Sequence, residues 1–211
     1  MFLSAKSTSN KSFKLVPPGA HLGRLYRIVD IGTQQGEWQG KVNHSRKIIL
    51  SFELHGEDME GQPLTTDDGK PLIVSKYYNQ SLYEKSTLRK HLQAWLNIDF
   101  DKLDAPFNAK DLLGKFAMLS ISHKEGRGGD TRAAIDSLSP VPAIIQKAGL
   151  PQGVNAPFLF DLNQFDSEKF NQLSEGIQNV IKESPEYRAL SQKPAIGKEA
   201  IVDDFNDSVP F

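Results

Sequence analysis

The chain has 211 residues with 38% hydrophobic and 24% charged content, which fits one ordinary domain with extensions and excludes a wholly disordered chain. It holds no cysteine, so disulfides, thiolate catalysis and cysteine-ligated zinc are excluded. The net charge of −1 hides an asymmetry: residues 1–150 carry 20 Lys and Arg against 16 Asp and Glu, whereas residues 151–211 carry 5 against 10.

Residues 1–16 are polar and rich in Ser and Lys, which predicts a flexible N-terminal arm, and Pro17-Pro18-Gly19 punctuates entry into the ordered body. His21 to Thr33 reads as a first strand, with Leu22, Ile28, Val29 and Ile31 as its apolar content. Gln34 to His44 is polar and holds Gly36, Trp38 and Gly40, which predicts a loop. From Arg46 to Leu54, the residues Ile48, Leu50, Phe52 and Leu54 alternate with Lys47, Ile49, Ser51 and Glu53, the pattern of a strand with one buried face. His55 to Lys70 is acidic and turn-rich and ends in Asp68-Gly69, a long hairpin connection to a third strand over Pro71 to Asn79.

Ser81 and Glu84 match a capping box, and Leu88, Leu92, Trp95 and Leu96 then trace one helical stripe. Lys115 to His123 and Thr131 to Leu138 are a fourth and a fifth strand, joined by the glycine-rich turn at 125–130. Beyond Pro140 and Pro142, the spacing of Phe158, Phe160, Phe165, Phe170, Leu173, Ile177, Val180 and Ile181 predicts a helix from Ser167 to Glu183, which Ser184-Pro185 stops. From Leu190 onward there is little to pack, which predicts a disordered tail.

Three strands, a capped helix and two more strands is the succession of the OB-fold, a five-stranded Greek-key barrel with a helix between strands three and four. The expectation is therefore a mainly β chain: a barrel over 17–142, a helical appendage over 143–189 and an acidic tail over 190–211. The pattern leaves an SH3-like or other small barrel open.

Nothing in the chain points to catalysis. The five histidines show no metal-ligand spacing, and no phosphate loop or nucleophile elbow is present, so neither an enzyme nor a metal or other cofactor is expected. Single-stranded nucleic acid needs aromatic faces for its bases and cations for its phosphates, and this chain puts the two side by side. Trp38 stands among Gly and Gln with Lys41 nearby, Arg46 and Lys47 open the second strand, and Lys76-Tyr77-Tyr78 ends the third. Arg24 and Arg27 lie on the first strand, while Lys124, Arg127 and Arg132 surround the last hairpin. Adjacent strand residues point to opposite faces, so only one of Tyr77 and Tyr78 lines a cleft. Phe52 shares its parity with Ile48 and Leu50, and Trp95 belongs to the helical stripe, which assigns both to the core.

The C-terminal residues Asp203, Asp204, Phe205, Asp207, Pro210 and Phe211 combine carboxylates with an apolar tip, suited to a partner pocket with a basic rim. Residues 204–211 (DFNDSVPF) resemble the tail of bacterial single-stranded-DNA-binding proteins, with Asn206 and Ser208 where that family has further aspartates and Val209 where it has Ile. Over most of its length the chain is similar to bacteriophage single-stranded-DNA-binding proteins of the OB-fold type. The segments that carry this likeness are 32–40 (GTQQGEWQG), 46–54 (RKIILSFEL), 74–82 (VSKYYNQSL), 111–115 (DLLGK) and 173–187 (LSEGIQNVIKESPEY).

The resemblance implies sequence-independent binding and protection of single-stranded DNA during replication, recombination or repair, with replication or repair proteins recruited by the tail. A protein–protein adaptor or decoy and an RNA-binding module are the competing readings. No apolar run is long enough to span a membrane and the first residues lack a secretion signal, so the expected location is the cytoplasm of a bacterial host, with a homodimer as one assembly open to the chain.

Overall fold

A computed structural model describes residues 14–38, 40–126 and 128–192. The chain is mainly β. Strands β1 (Gly19–Trp38), β2 (Lys41–His55) and β3 (Ile73–Asn79) form an antiparallel meander. Helix α1 (Thr87–Leu96) leads to β4 (Phe116–Glu125) and β5 (Thr131–Ser139), and the sheet order is β3-β2-β1-β4-β5. The two end strands, β3 and β5, face each other, and the Lys76 ammonium of β3 donates across the gap to the Ile135 carbonyl of β5. Helix α2 (Ala143–Ala148) follows, and β6 (Phe158–Phe160) then joins the sheet as a short strand parallel to β1. Helices α3 (Ser167–Gln172), α4 (Glu175–Glu183) and α5 (Pro185–Gln192) complete the described chain. No helix among the described residues is long and apolar enough to cross a membrane.

The inner face of the sheet encloses the main core. Leu25, Ile28, Leu50, Phe52, Val74, Leu119 and Ile135 are all buried there. One end of the sheet is plugged by Leu88, Leu92 and Trp95 of α1, and the indole of Trp95 donates to the Phe116 carbonyl at 2.7 Å. The N-cap of α1 is Ser86, whose hydroxyl accepts from the Arg89 amide at 3.2 Å, and not the expected Ser81. Ser81 instead accepts from the Tyr83 amide, a local turn that competes with helix initiation and moves the start five residues on.

At the other end, residues expected in a loose arm are tied down. Val16 is buried, its carbonyl accepts from His123, and Lys14 reaches the carbonyls of Pro63 and Thr65. Residues 1–13 and the tail from 193 lie outside the described residues.

Three further expectations change. The loop expected over Gln34 to His44 is a two-stranded ribbon, paired from Gln34 opposite Ser45 out to Trp38 opposite Lys41. The single helix expected over 167–183 is two, separated at Leu173–Ser174, and Pro185 does not end the helical region but starts α5, where its missing amide hydrogen costs nothing. The segment after 143 is also more than a helical appendage, because β6 and the helices build a second core on the outer face of β1 and β2. Val29, Ile31 and Ile49 are buried there against Phe160, Leu162, Phe170, Leu173 and Ile181.

Two tethers hold this cover in place. Glu53 of β2, fully buried, accepts from Arg24 at 2.9 Å, from the backbone amides of Val154 and Asn155 at 3.0 and 2.7 Å, and from the Asn155 side chain at 2.6 Å. Gly153 lies flat on the Arg24 guanidinium, where a Cβ would fall 2.0 Å from a guanidinium nitrogen. The second tether is Glu186 of α5, which accepts from the amide and hydroxyl of Thr33 at 2.9 and 2.6 Å. Gly32 permits it twice over: its φ is +70°, and a Cβ would stand 2.6 Å from Ser184.

Burial pushes the Glu53 carboxyl upward, but the Asn155 amide, Arg24 and the remaining donors outweigh it and hold it at about 2. The resulting stabilisation, on the order of 3 kcal/mol, is fully present above the ordinary value of 4.5 and is lost as the pH falls towards about 2. Glu53→Gln is expected to remove this acid limb from the stability profile and to cost about 3–5 kcal/mol at neutral pH, since Arg24 keeps its burial and loses its counter-charge. Denaturant titrations at several pH values check both outcomes. Phe160→Ala is expected to cost about 3–5 kcal/mol in a single cooperative transition, as a deletion in the main core would; a separate low-stability transition would show that the second core folds by itself.

Candidate nucleic-acid interface

The outer face of the meander is read most directly as rows of cross-strand neighbours. Arg24, Glu53 and Ile73 form one row, Arg27, Ser51 and Ser75 the next, and Val29, Ile49 and Tyr77 the third. Glu53, Val29 and Ile49 lie beneath the C-terminal cover, and the β3 side of each row is open. Tyr77 is 56% exposed while Tyr78 is 2% exposed, so the two tyrosines divide between the faces as strand parity requires. Tyr78 belongs to the core. Burial raises its hydroxyl above the ordinary value and keeps His91 below its own, and the Tyr78 hydroxyl and His91 Nδ1 share a hydrogen bond of 2.9 Å. Tyr78 therefore offers no face to a base, and its place among the expected binding residues is corrected.

The cations separate by what their present partners would lose. Arg24 is paired with the fully buried Glu53, and its guanidinium also donates to the Asn155 carbonyl at 3.0 Å. Arg46 holds Asp30 with two nitrogens, Nη2 at 2.5 Å and Nε at 3.2 Å, and the Asp30 side chain is only 8% exposed. Pulling either arginine onto a phosphate would strand a buried carboxylate, a loss of several kcal/mol that one exposed phosphate contact does not recover. Both are structural, contrary to expectation. Lys76 points inward to Ile135, with its ammonium held below the usual range first by burial and then by the charge of Lys124.

The last hairpin behaves otherwise. Lys124 meets Asp136 at 2.7 Å and Arg132 meets Asp130, all four side chains being at least 38% exposed. Such surface pairs contribute little to stability, so these cations can exchange a carboxylate for a phosphate at little cost.

Arg27 stands apart. Its Nε donates to Ser51 at 3.3 Å, Ser75 donates to the same hydroxyl at 2.8 Å, and the guanidinium lies 5.7 Å from the Tyr26 ring centroid. No carboxylate among the described residues pairs with it. Lys41 is exposed on the ribbon and Lys47 half-exposed at its base, again without a carboxylate partner among the described residues. The side chain of Trp38, all of Arg127, and Asp203, Asp204, Phe205, Asp207, Pro210 and Phe211 lie outside the described residues.

Four residues around Arg27 were not singled out from the sequence: Ser51 and Ser75, which hold its Nε on the sheet, and Phe158 and Lys169, which line a cleft with it. The first two looked like ordinary outward residues of strands, and the last two come to the sheet only because β6 pairs with β1. No protein-family model matches the chain, and no curated protein matches it in sequence.

The division of the tyrosines is checked by stability alone. Tyr78→Ala is expected to cost about 3–5 kcal/mol, as for a buried aromatic, and Tyr77→Ala less than about 1 kcal/mol. Similar losses for both variants in thermal or denaturant unfolding would overturn this assignment of faces.

Proposed function

We propose that this chain binds single-stranded nucleic acid, DNA in the first instance, on the exposed outer face of β3 between the β1–β2 ribbon and the β4–β5 hairpin. The observation that carries the reading is the exposed ring of Tyr77 on the same face of the sheet as Lys47 and the row of Arg27, in a chain whose further cations have no carboxylate partner among the described residues (Lys41) or only a surface one (Lys124, Arg132). A flat ring stacks on any base and cations track any phosphate, so binding is largely independent of sequence. The β3-β2-β1-β4-β5 order, the facing of β3 and β5 and the position of α1 between β3 and β4 support an OB-type barrel, in which this face and these two connections form the ligand cleft.

In the same reading, residues 203–211 recruit replication or repair proteins, because carboxylates beside Phe205, Pro210 and Phe211 suit an apolar pocket with a basic rim.

Fluorescence anisotropy with labelled oligo-dT tests both parts. The intact chain is expected to bind with a log–log salt slope of about −3, reflecting roughly four or five phosphate contacts. Tyr77→Ala is expected to bind about tenfold more weakly, the loss of one stacked base. Deletion of 203–211 is expected to leave oligo-dT affinity unchanged or raised while abolishing capture of tail-binding partners. An intact chain that ignores oligo-dT at low salt overturns the reading. If it prefers a matched RNA oligonucleotide, the substrate is RNA instead.

A further inference from the structure

Beside the open face, the returning chain and the sheet enclose a cleft of about 430 Å³ lined by Tyr26, Arg27, Asn155, Phe158, Lys169 and Gln172, among others. Three features set it apart. First, of the four described arginines on the sheet, Arg24, Arg46 and Arg132 each hold a carboxylate and Arg27 holds none, so a guanidinium faces the cleft with its charge uncompensated. Second, Lys169 lines the same cleft from α3, and no ion pair among the described residues engages it. Third, the walls are apolar and amide: the half-buried ring of Phe158, Pro157 and Leu173 on one part, Gln172 on another. Two unpaired cations with a ring and an amide beside them match the parts of one nucleotide: phosphate, sugar or base face, and a polar base edge. The volume falls within the range of small-molecule sites.

We infer that this cleft is a nucleotide subsite, with the phosphate held by Arg27 and Lys169, and that a bound strand passes from Tyr77 by way of the half-exposed Ser75 and Arg27 into it. The inference rests on the single-strand-binding reading above and extends it to residues that strand pattern alone does not reveal. The hydrogen-bonded serines matter here. They fix Arg27 Nε on the sheet, and no hydrogen bond among the described residues occupies the two terminal nitrogens of a guanidinium that lines the cleft. The subsite also ties binding to the C-terminal segment, since Lys169 and Phe158 belong to α3 and β6, outside the five-stranded meander and hairpin.

The test is oligo-dT titration of the full chain at two salt concentrations for the intact protein, Arg27→Ala, Lys169→Glu, the double variant and Arg188→Ala. Arg188 is an exposed cation on α5 that does not line the cleft, and its variant is the control for net charge. Lys169 is itself exposed on a short helix, so Lys169→Glu tests the cleft even should Arg27→Ala prove unstable. Each cleft variant is expected to bind about five- to tenfold more weakly, and the double variant to lose about 0.7 from the magnitude of the salt slope, the one phosphate that the two cations share. Arg188→Ala is expected to match the intact chain.

Intact protein that binds, together with Arg27→Ala and Lys169→Glu that bind equally well and with the same slope, overturns the subsite and leaves the broader reading standing. Losses no larger than that of Arg188→Ala also overturn it, as a general charge effect. Intact protein that fails to bind overturns the broader reading, and the subsite with it.

Discussion

Between Ile48 and Leu54, strand β2 directs buried side chains to both of its faces, which a sheet with one face in water cannot accommodate. Ile48, Leu50, Phe52 and Leu54 fill the interior, while Ile49, Ser51 and Glu53 on the other side are equally closed off from solvent. A second layer is therefore obligatory over the middle of β1 and β2, and the chain supplies it by coming back after β5 to lay β6 and three short helices there. Much of the remaining architecture follows from that requirement. The long bent β1 has to serve β2, β4 and β6 at once, and its register shifts near Leu25 and Asp30 let it turn from one partner to the next. What the cover leaves bare, the β3 side and the ribbon, is where a ligand can lie.

The same covering layer sorts the charges. A carboxylate taken out of water has to be met by several donors, and Glu53 and Asp30 recruit Arg24 and Arg46 permanently for that purpose. Composition treats these arginines as equal to Arg27, Lys41 and Lys47, yet their electrostatic energy is already committed to folding. A basic count of residues thus overstates what is available to a polyanion. The weakly held pairs at the β4–β5 hairpin and the cations without a carboxylate partner, Arg27, Lys41 and Lys47, form the usable set, and strand parity puts Lys47 on the same face as Tyr77.

Much of this was legible before any coordinates, and the illegible part has identifiable causes. Alternation over Ile48 to Leu54 located β2 and assigned Phe52 inward, and parity separated Tyr77 from Tyr78, because a strand's period of two is a geometric fact that neighbours rarely override. The ribbon was missed since both its sides meet water, so Gln34, Gln35, Asn43 and His44 carry no apolar rhythm to report pairing. The helix start went to Ser81 because a local motif fits there, whereas the buried stripe beginning at Leu88 is better served by Ser86. Glu53 looked like a solvent-facing residue: nothing near it in sequence announces that residues 153–155, a hundred positions away, will supply its hydrogen bonds. Long-range partners of this kind also decided the standing of Arg24, Arg46 and Lys169, which is why the fold was easier to read than the site.

The C-terminal segment consequently has two physical duties that cannot be separated. Phe160, Phe170 and Ile181 close the second core, and the same stretch of backbone carries Phe158 and Lys169 to the edge of the open sheet face. Its last described helix is fastened by Glu186 to Thr33, at the root of the ribbon, so the cover is pinned to the sheet at both of its ends. Fold and charge therefore divide along the same line: the body that ends at residue 150 carries 20 Lys and Arg against 16 Asp and Glu, and the returning segment that covers it belongs to a stretch with 5 against 10, so the cations this cover carries, Lys169 among them, are few.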